Sequence, residues 1–100
     1  MVNPEILWAQ SRENIFITLN ISNIIEQTIN IDKELITFNG RNKENNYNID
    51  IKLLKTINPE KSNWSVKANN VTFILKKEPN VFWNKLSNYS HLMQSIKIFY

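Results

Sequence analysis

The chain has 100 residues and a mass of 11.9 kDa, the size of one compact domain. Hydrophobic residues make up 42% and charged residues 21% of it, which indicates a globular chain, and no apolar run is long enough for a transmembrane helix. The net charge of +3 does not require a nucleic-acid partner, and the lack of cysteine with a single histidine, His91, argues against a disulfide framework or a metal site.

Alternation of apolar and polar residues with a period of two predicts β-strands along most of the chain. Many of the apolar residues are β-branched or aromatic, as is typical of half-buried strands. The predicted strands, in chain order, are Ile6–Gln10, Asn14–Ile21, Thr28–Ile31, Leu35–Phe38, Tyr47–Leu53, Trp64–Ala68, Val71–Lys77 and Ile96–Tyr100.

Residues that favour turns separate these strands, at Asn39–Asn42, Asn58–Lys61, Ala68–Asn70 and Glu78–Asn80. The one segment with a helical pattern is Val81–Ser87, which predicts a single short helical turn. Short strands joined by tight turns predict an all-β fold, an antiparallel β-sandwich of seven to eight strands. Aromatic residues supply the predicted structural core, which consists of Trp8, Phe16, Phe38, Phe73 and Trp83.

Few residues are suited to catalysis. His91 is the sole candidate base and lies in a polar stretch that we predict to be a surface loop. Asp32 and Asp50 fall at turn or solvent-facing positions, and the lone Gly40 cannot form a phosphate-binding loop. We therefore expect no catalytic residues, no cofactor and no metal, and the heavy aromatic load favours a protein-binding surface instead.

Several of these segments together resemble a known family. Leu7-Trp8-Ala9-Gln10 near the start, Trp83-Asn84-Lys85-Leu86-Ser87, and the final strand Ser95–Tyr100 are similar to the CS domain. Within that family the match is best to the twenty-three-kilodalton co-chaperones of heat shock protein 90. The resemblance covers residues 1–100 as a single CS domain, and the sequence stops at Tyr100, before the acidic tail that family members carry.

The resemblance implies a cytoplasmic or nuclear co-chaperone that binds the ATP-bound, closed dimer of heat shock protein 90. It would slow ATP turnover and prolong the binding of client proteins, with neither nucleic acid nor membrane as a partner. The partner-binding residues expected on this basis are Gln10, Arg12, Lys85, Leu86, Ser87, Ile96, Lys97, Phe99 and Tyr100.

Departures from the family pattern leave alternatives open. Some relatives have been described as prostaglandin E synthases, but a tyrosine follows their first tryptophan where this chain has Ala9, so we do not expect that activity. Phe82-Trp83 also resembles the double-aromatic element of nuclear-movement proteins, so an adaptor of the nuclear-movement or Sgt1 kind is the alternative function. A small heat-shock protein would share the sandwich, but the glycine-bearing signature of that family is absent.

Overall fold

The computed structural model describes residues 4–79 and 81–83, together with the backbone of residues 96–98. All regular secondary structure in these residues is β-strand. The eight strands are β1 (Ile6–Gln10), β2 (Asn14–Leu19), β3 (Glu26–Ile31), β4 (Leu35–Arg41), β5 (Asn46–Lys52), β6 (Ile57–Val66), β7 (Val71–Lys77) and β8 (Ile96–Ile98).

The strands form two sheets, one of five strands in the order β6-β7-β2-β1-β8 and one of three in the order β3-β4-β5. Neighbouring strands are antiparallel except β8, which pairs in parallel with β1. The predicted all-β sandwich of seven to eight strands is confirmed. The predicted helical turn is absent from residues 81–83, and residues 84–87 of that prediction lie outside the described part of the chain.

One hydrophobic core lies between the two sheets. Strands β2 and β7 contribute opposed pairs to it, with Ile15 opposite Leu75 and Ile17 opposite Phe73. The three-stranded sheet contributes Phe38 among others, and Trp8 of β1 is also fully buried. Because successive side chains of a strand point to opposite faces, these residues are separated by exposed or half-buried ones.

Phe16 is an exception to the expected aromatic core. The structure buries Trp8, Phe38, Phe73 and Trp83, but Phe16 is 37% exposed. It lies between Ile15 and Ile17 in β2, and both of these are buried in the core. Since neighbours in a strand face opposite sides, Phe16 must lie on the face away from the core, so its assignment to the core is wrong.

The predicted turn at Asn58–Lys61 is also wrong, because these residues belong to strand β6. The pairing of β6 with β7 shifts between Asn58 and Asn63, which is a β-bulge. The Asn58 Oδ1 atom accepts a hydrogen bond from the Glu60 N–H at 3.0 Å, and the Ser62 hydroxyl donates to the Asn58 carbonyl at 2.7 Å. The turn chemistry read from the sequence is therefore present, but it bends a strand and does not end one.

Gly40 is required by a close approach within strand β4. A Cβ atom at this position would lie 2.7 Å from the Phe38 ring and 3.0 Å from the backbone oxygen of Glu26. Phe38 and Gly40 are two residues apart in one strand and so share a face. The ring of Phe38 thus occupies the space that only a glycine leaves free.

Candidate partner-binding site

The five-stranded sheet carries an apolar row on the face that points away from the core. Ala9 is opposite Phe16 in the register of β1 and β2, and Phe16 is opposite Ile74 in that of β2 and β7. Phe16 is 37% and Ile74 45% exposed, while Ala9 is half-buried. We refer to Ala9, Phe16 and Ile74 as the outer patch.

Polar residues surround the outer patch. The row next to it across the same strands contains Thr18 opposite Thr72, and Asn63 lies opposite Ile74 on β6. By contrast, the corresponding row of the three-stranded sheet is polar throughout, with Thr28, Asn39 and Asn48 side by side. Apolar surface within a polar border is typical of a protein-binding face, so the five-stranded sheet is the better candidate.

A second feature lies at the end of the same sheet, where Gln10, Lys77 and Trp83 meet; we call it the Gln10 corner. The Gln10 amide nitrogen donates to the Trp83 carbonyl at 2.6 Å, and the Gln10 Oε1 atom accepts from the Trp83 N–H at 3.0 Å. The side chain of Gln10 therefore bonds both backbone groups of Trp83. Strand β1 is joined in this way to a segment 73 residues away in sequence.

Lys77 completes the corner with an unusual environment for a lysine. It is only 4% exposed, and its Nζ atom donates to Gln10 Oε1 at 2.8 Å. No carboxylate forms an ion pair with it within the described ranges. Burial lowers the pKa of Lys77, because a charged ammonium loses its hydration there without gaining an opposite charge.

The neighbouring Lys76 behaves as an ordinary surface lysine. Its Nζ atom lies 3.0 Å from a carboxylate oxygen of Glu13, and the hydrogen bond from Lys76 lowers the pKa of Glu13. On the other sheet, Arg41 pairs with Glu26 at 2.8 Å and lowers the pKa of that carboxyl by hydrogen bonding. Such exposed pairs contribute little to stability.

Two buried indole groups lie beneath these features. The Nε1 atoms of Trp8 and Trp83 are buried and have no hydrogen-bond partner in the part of the chain that the structure describes. Trp83 nevertheless fills the core, at 1% exposure, so its packing outweighs the unmade hydrogen bond. The next residue back, Phe82, is 67% exposed.

The structure places the expected partner-binding residues in different situations. Gln10 is half-buried and bonded within the chain, whereas Arg12 is exposed in the turn between β1 and β2. The backbones of Ile96 and Lys97 pair with Ile6 and Leu7. The side chains of those two residues lie outside the described set, as do Lys85, Leu86, Ser87, Phe99 and Tyr100 in full.

Sequence reasoning missed Ile74 and Phe82 as surface residues. Both carried a signal, because each adjoins a buried residue in an extended segment: Ile74 lies between Phe73 and Leu75, and Phe82 precedes Trp83. Strict alternation would have placed both on the outside.

The described residues contain no helix long and apolar enough to cross a membrane. Over the same residues, no group of three or more histidine, cysteine or acidic side chains is arranged to hold a metal ion.

Curated relatives are similar to most of this chain. They include the very-long-chain (3R)-3-hydroxyacyl-CoA dehydratase of Danio rerio, 27% identical over 86% of the chain and 25% of the relative. The human protein SGT1 homolog is 33% identical over 79% of the chain and 22% of the relative. Co-chaperone protein p23-1 of Arabidopsis thaliana is 29% identical over 84% of the chain and 36% of the relative. The chain thus spans between about a fifth and a third of these relatives' length.

Solved structures share the fold. The CS domain of the human KIAA1068 protein matches 89% of this chain and 77% of its own, with a TM-score of 0.74 and 18% identity. The nuclear movement protein from E. cuniculi matches 83% of this chain and 98% of its own, with a TM-score of 0.63 and 19% identity. A model of the CS domain matches residues 4–77, which include strands β1 to β7. The chain therefore belongs to the CS domain family, whose members include p23 co-chaperones and SGT1.

Proposed function

We propose that this chain is a co-chaperone domain that binds heat shock protein 90 in its ATP-bound, closed state. It slows ATP turnover and prolongs the hold on client proteins, which are themselves possible contacts, and it acts in the cytoplasm or nucleus. The observation that carries this proposal is the similarity, over 84% of the chain, to a protein named as a co-chaperone.

The outer patch supports a protein partner. Phe16 and Ile74 are adjacent on a rigid sheet, so exposing them costs no rearrangement and burying them removes apolar surface from water. A partner that covers both side chains gains affinity without first ordering a loop. The polar row beside them supplies the hydrogen-bonding border that protein interfaces need.

The proposed effect on ATP turnover is a population shift. A ligand changes the balance between open and closed chaperone only by the difference in its affinity for the two states. Binding to the closed dimer alone therefore stabilises that dimer and delays the steps that reopen it. Equal affinity for both states would leave the turnover rate unchanged, however tight the binding.

Capture of the chaperone with different nucleotides tests the proposal. The chain is immobilised and incubated with full-length heat shock protein 90 and either a non-hydrolysable ATP analogue or ADP. Ile74→Ala should reduce capture about tenfold if the outer patch is the contact. Ile25→Ala is the matched control, since this isoleucine is also exposed but lies beside the three-stranded sheet. Capture that fails with every nucleotide overturns the proposal.

A second function, that of an adaptor of the SGT1 or nuclear-movement kind, also has support. The human SGT1 homolog is 33% identical to the chain over 82 residues. Such an adaptor would bind chaperone or client independently of nucleotide. Equal capture with the ATP analogue and with ADP therefore favours the adaptor over the closed-state co-chaperone.

We propose further that the chain is not itself an enzyme. The dehydratase relative matches this chain over 25% of its own length, and the same region of the chain matches proteins named as co-chaperones. The shared segment need not carry the dehydration chemistry. Incubation with prostaglandin H and glutathione tests the remaining enzymatic reading, and formation of prostaglandin E would contradict the proposal.

A further inference from the structure

Phe82 is the most exposed of the large hydrophobic side chains that the structure describes. It is 67% exposed, compared with 45% for Ile74 and 37% for Phe16. Its neighbour Trp83 is almost completely buried, at 1%. An exposed phenylalanine beside a buried tryptophan has an orientation that depends on how the backbone of Trp83 is held.

The Gln10 side chain holds that backbone on both sides. Its amide donates to the Trp83 carbonyl at 2.6 Å and accepts from the Trp83 N–H at 3.0 Å, as a neighbouring strand would do. With the indole in the core and both backbone groups bonded, the preceding side chain is directed into solvent. The outward position of Phe82 is thus imposed by contacts that do not involve Phe82 itself.

Lys77 fixes the orientation of the Gln10 amide. An ammonium can only donate hydrogen bonds, so the Gln10 atom at 2.8 Å from Lys77 Nζ must be the oxygen. The amide nitrogen is then left facing the Trp83 carbonyl. Both bonds to Trp83 depend on this orientation, because a flipped amide would place oxygen against oxygen.

The charge of this part of the chain is one-sided. Residues 76–100 contain four lysines and one acidic residue, Glu78, so they carry a net charge of 4 − 1 = +3. Residues 1–75 contain eight basic and eight acidic residues, so they are neutral. The whole net charge of the chain therefore belongs to the segment that includes Phe82, and a partner surface that complements it must be acidic.

We infer that Phe82 is an anchor that inserts into an apolar pocket on an acidic surface of the partner protein, and that Gln10 is its positioning residue. The inference rests on the proposed function and assigns the contact within it. An aromatic side chain already held in its bound position loses little conformational freedom on binding, which is the property of a strong anchor. The partner-binding role expected for Gln10 becomes an indirect one.

The affinity for full-length heat shock protein 90, measured by calorimetry with a non-hydrolysable ATP analogue, tests the anchor. Phe82→Ala should weaken binding by about 10- to 100-fold and leave the melting temperature nearly unchanged, since the side chain is exposed. Ile25→Ala, which truncates another exposed hydrophobic side chain, should bind like the parent. Raising the salt concentration should weaken binding if the surface is acidic.

A double-mutant cycle tests the positioning role. Gln10→Glu keeps the side-chain length and an oxygen partner for Lys77 but replaces the bond to the Trp83 carbonyl with repulsion. Alone, it should weaken binding by about 3- to 10-fold; combined with Phe82→Ala, it should add nothing further, because it acts through Phe82. Hydrogen exchange at the Trp83 amide gives a readout in the unbound chain.

The outcomes separate the two proposals. If the parent chain does not bind the chaperone, the proposed function and this inference both fail. If the parent binds and Phe82→Ala binds equally well, or if binding is insensitive to salt, only the inference fails. If the effects of Gln10→Glu and Phe82→Ala multiply, Gln10 does not act through Phe82 and its positioning role is overturned.

Discussion

Phe16 and Ile74 lie directly opposite each other across β2 and β7, on the face of the five-stranded sheet that points away from the core. Each is flanked in its own strand by two buried residues. A directly opposed apolar pair stabilises a sheet by a modest amount and leaves apolar surface exposed to solvent. The same two strands thus supply the core with one face and the outer patch with the other.

Truncation of the two faces should therefore have very different costs. Phe73→Ala removes a buried ring and should lower the free energy of unfolding by about 3–5 kcal/mol. Phe16→Ala, on the adjacent strand but the opposite face, should cost about 1 kcal/mol at most. Urea denaturation of both variants measures the difference. Equal losses would mean that Phe16 belongs to the core after all.

Much of the fold could be predicted from alternation alone. Buried strands β2, β5 and β7 follow strict period-two patterns, and the core parity of Trp8, Phe38 and Phe73 follows from it. Phe16 was misassigned because it is aromatic, although its position between Ile15 and Ile17 required the opposite face. Residue type was weighed above position, and position determined the outcome.

The remaining features depend on contacts that sequence patterns do not contain. Asn58-Pro59 is a strong local turn signal, but pairing with β7 on either side of it continues the strand through a bulge. The bonds between Gln10 and Trp83 join residues 73 positions apart, so no local pattern could indicate them. The candidate site was therefore only partly predictable, since its residues are brought together by tertiary packing.

Trp83 and Lys85 should respond in opposite ways to truncation. Trp83 is buried against the core, so Trp83→Ala should reduce the free energy of unfolding by about 3–5 kcal/mol and unfold a marginally stable domain. Lys85→Ala should leave the melting temperature nearly unchanged and weaken binding to the chaperone. Thermal melts and capture assays on both variants check this, and a lysine variant as unstable as the tryptophan variant contradicts it.

Gly40→Ala should destabilise the fold by about 1–3 kcal/mol, as overpacking does. The added methyl group would meet the Phe38 ring at 2.7 Å and the Glu26 backbone oxygen at 3.0 Å. Replacing the ring as well, in Gly40→Ala with Phe38→Leu, should cost less than the sum of the two single changes, because the main clash is gone. Denaturation curves of the three variants provide the measurement; strict additivity would show that the ring is not the obstacle.

The buried Lys77 should make stability depend on alkaline pH. Burial lowers its pKa in the folded state below the ordinary value of 10.5. Below the lowered pKa, both the folded and unfolded chains hold the proton, and the cost of burying the charge is present in full. Between the lowered pKa and 10.5, the folded chain releases the proton while the unfolded chain keeps it, so the contribution of Lys77 to stability rises with pH.

Lys77→Met should remove this rise and be at least as stable as the parent at neutral pH, because an apolar side chain replaces a buried charge that has no carboxylate partner among the described residues. The Gln10 Oε1 atom keeps its hydrogen bond from the Trp83 N–H. Lys76→Met, next to it in β7, is the control, since Lys76 pairs with Glu13 on the surface. Urea denaturation at several alkaline pH values gives the free energy of unfolding, and the parent minus Lys77→Met difference should become more favourable to the parent as pH rises. A difference independent of pH would show that the ammonium is hydrated in the folded chain.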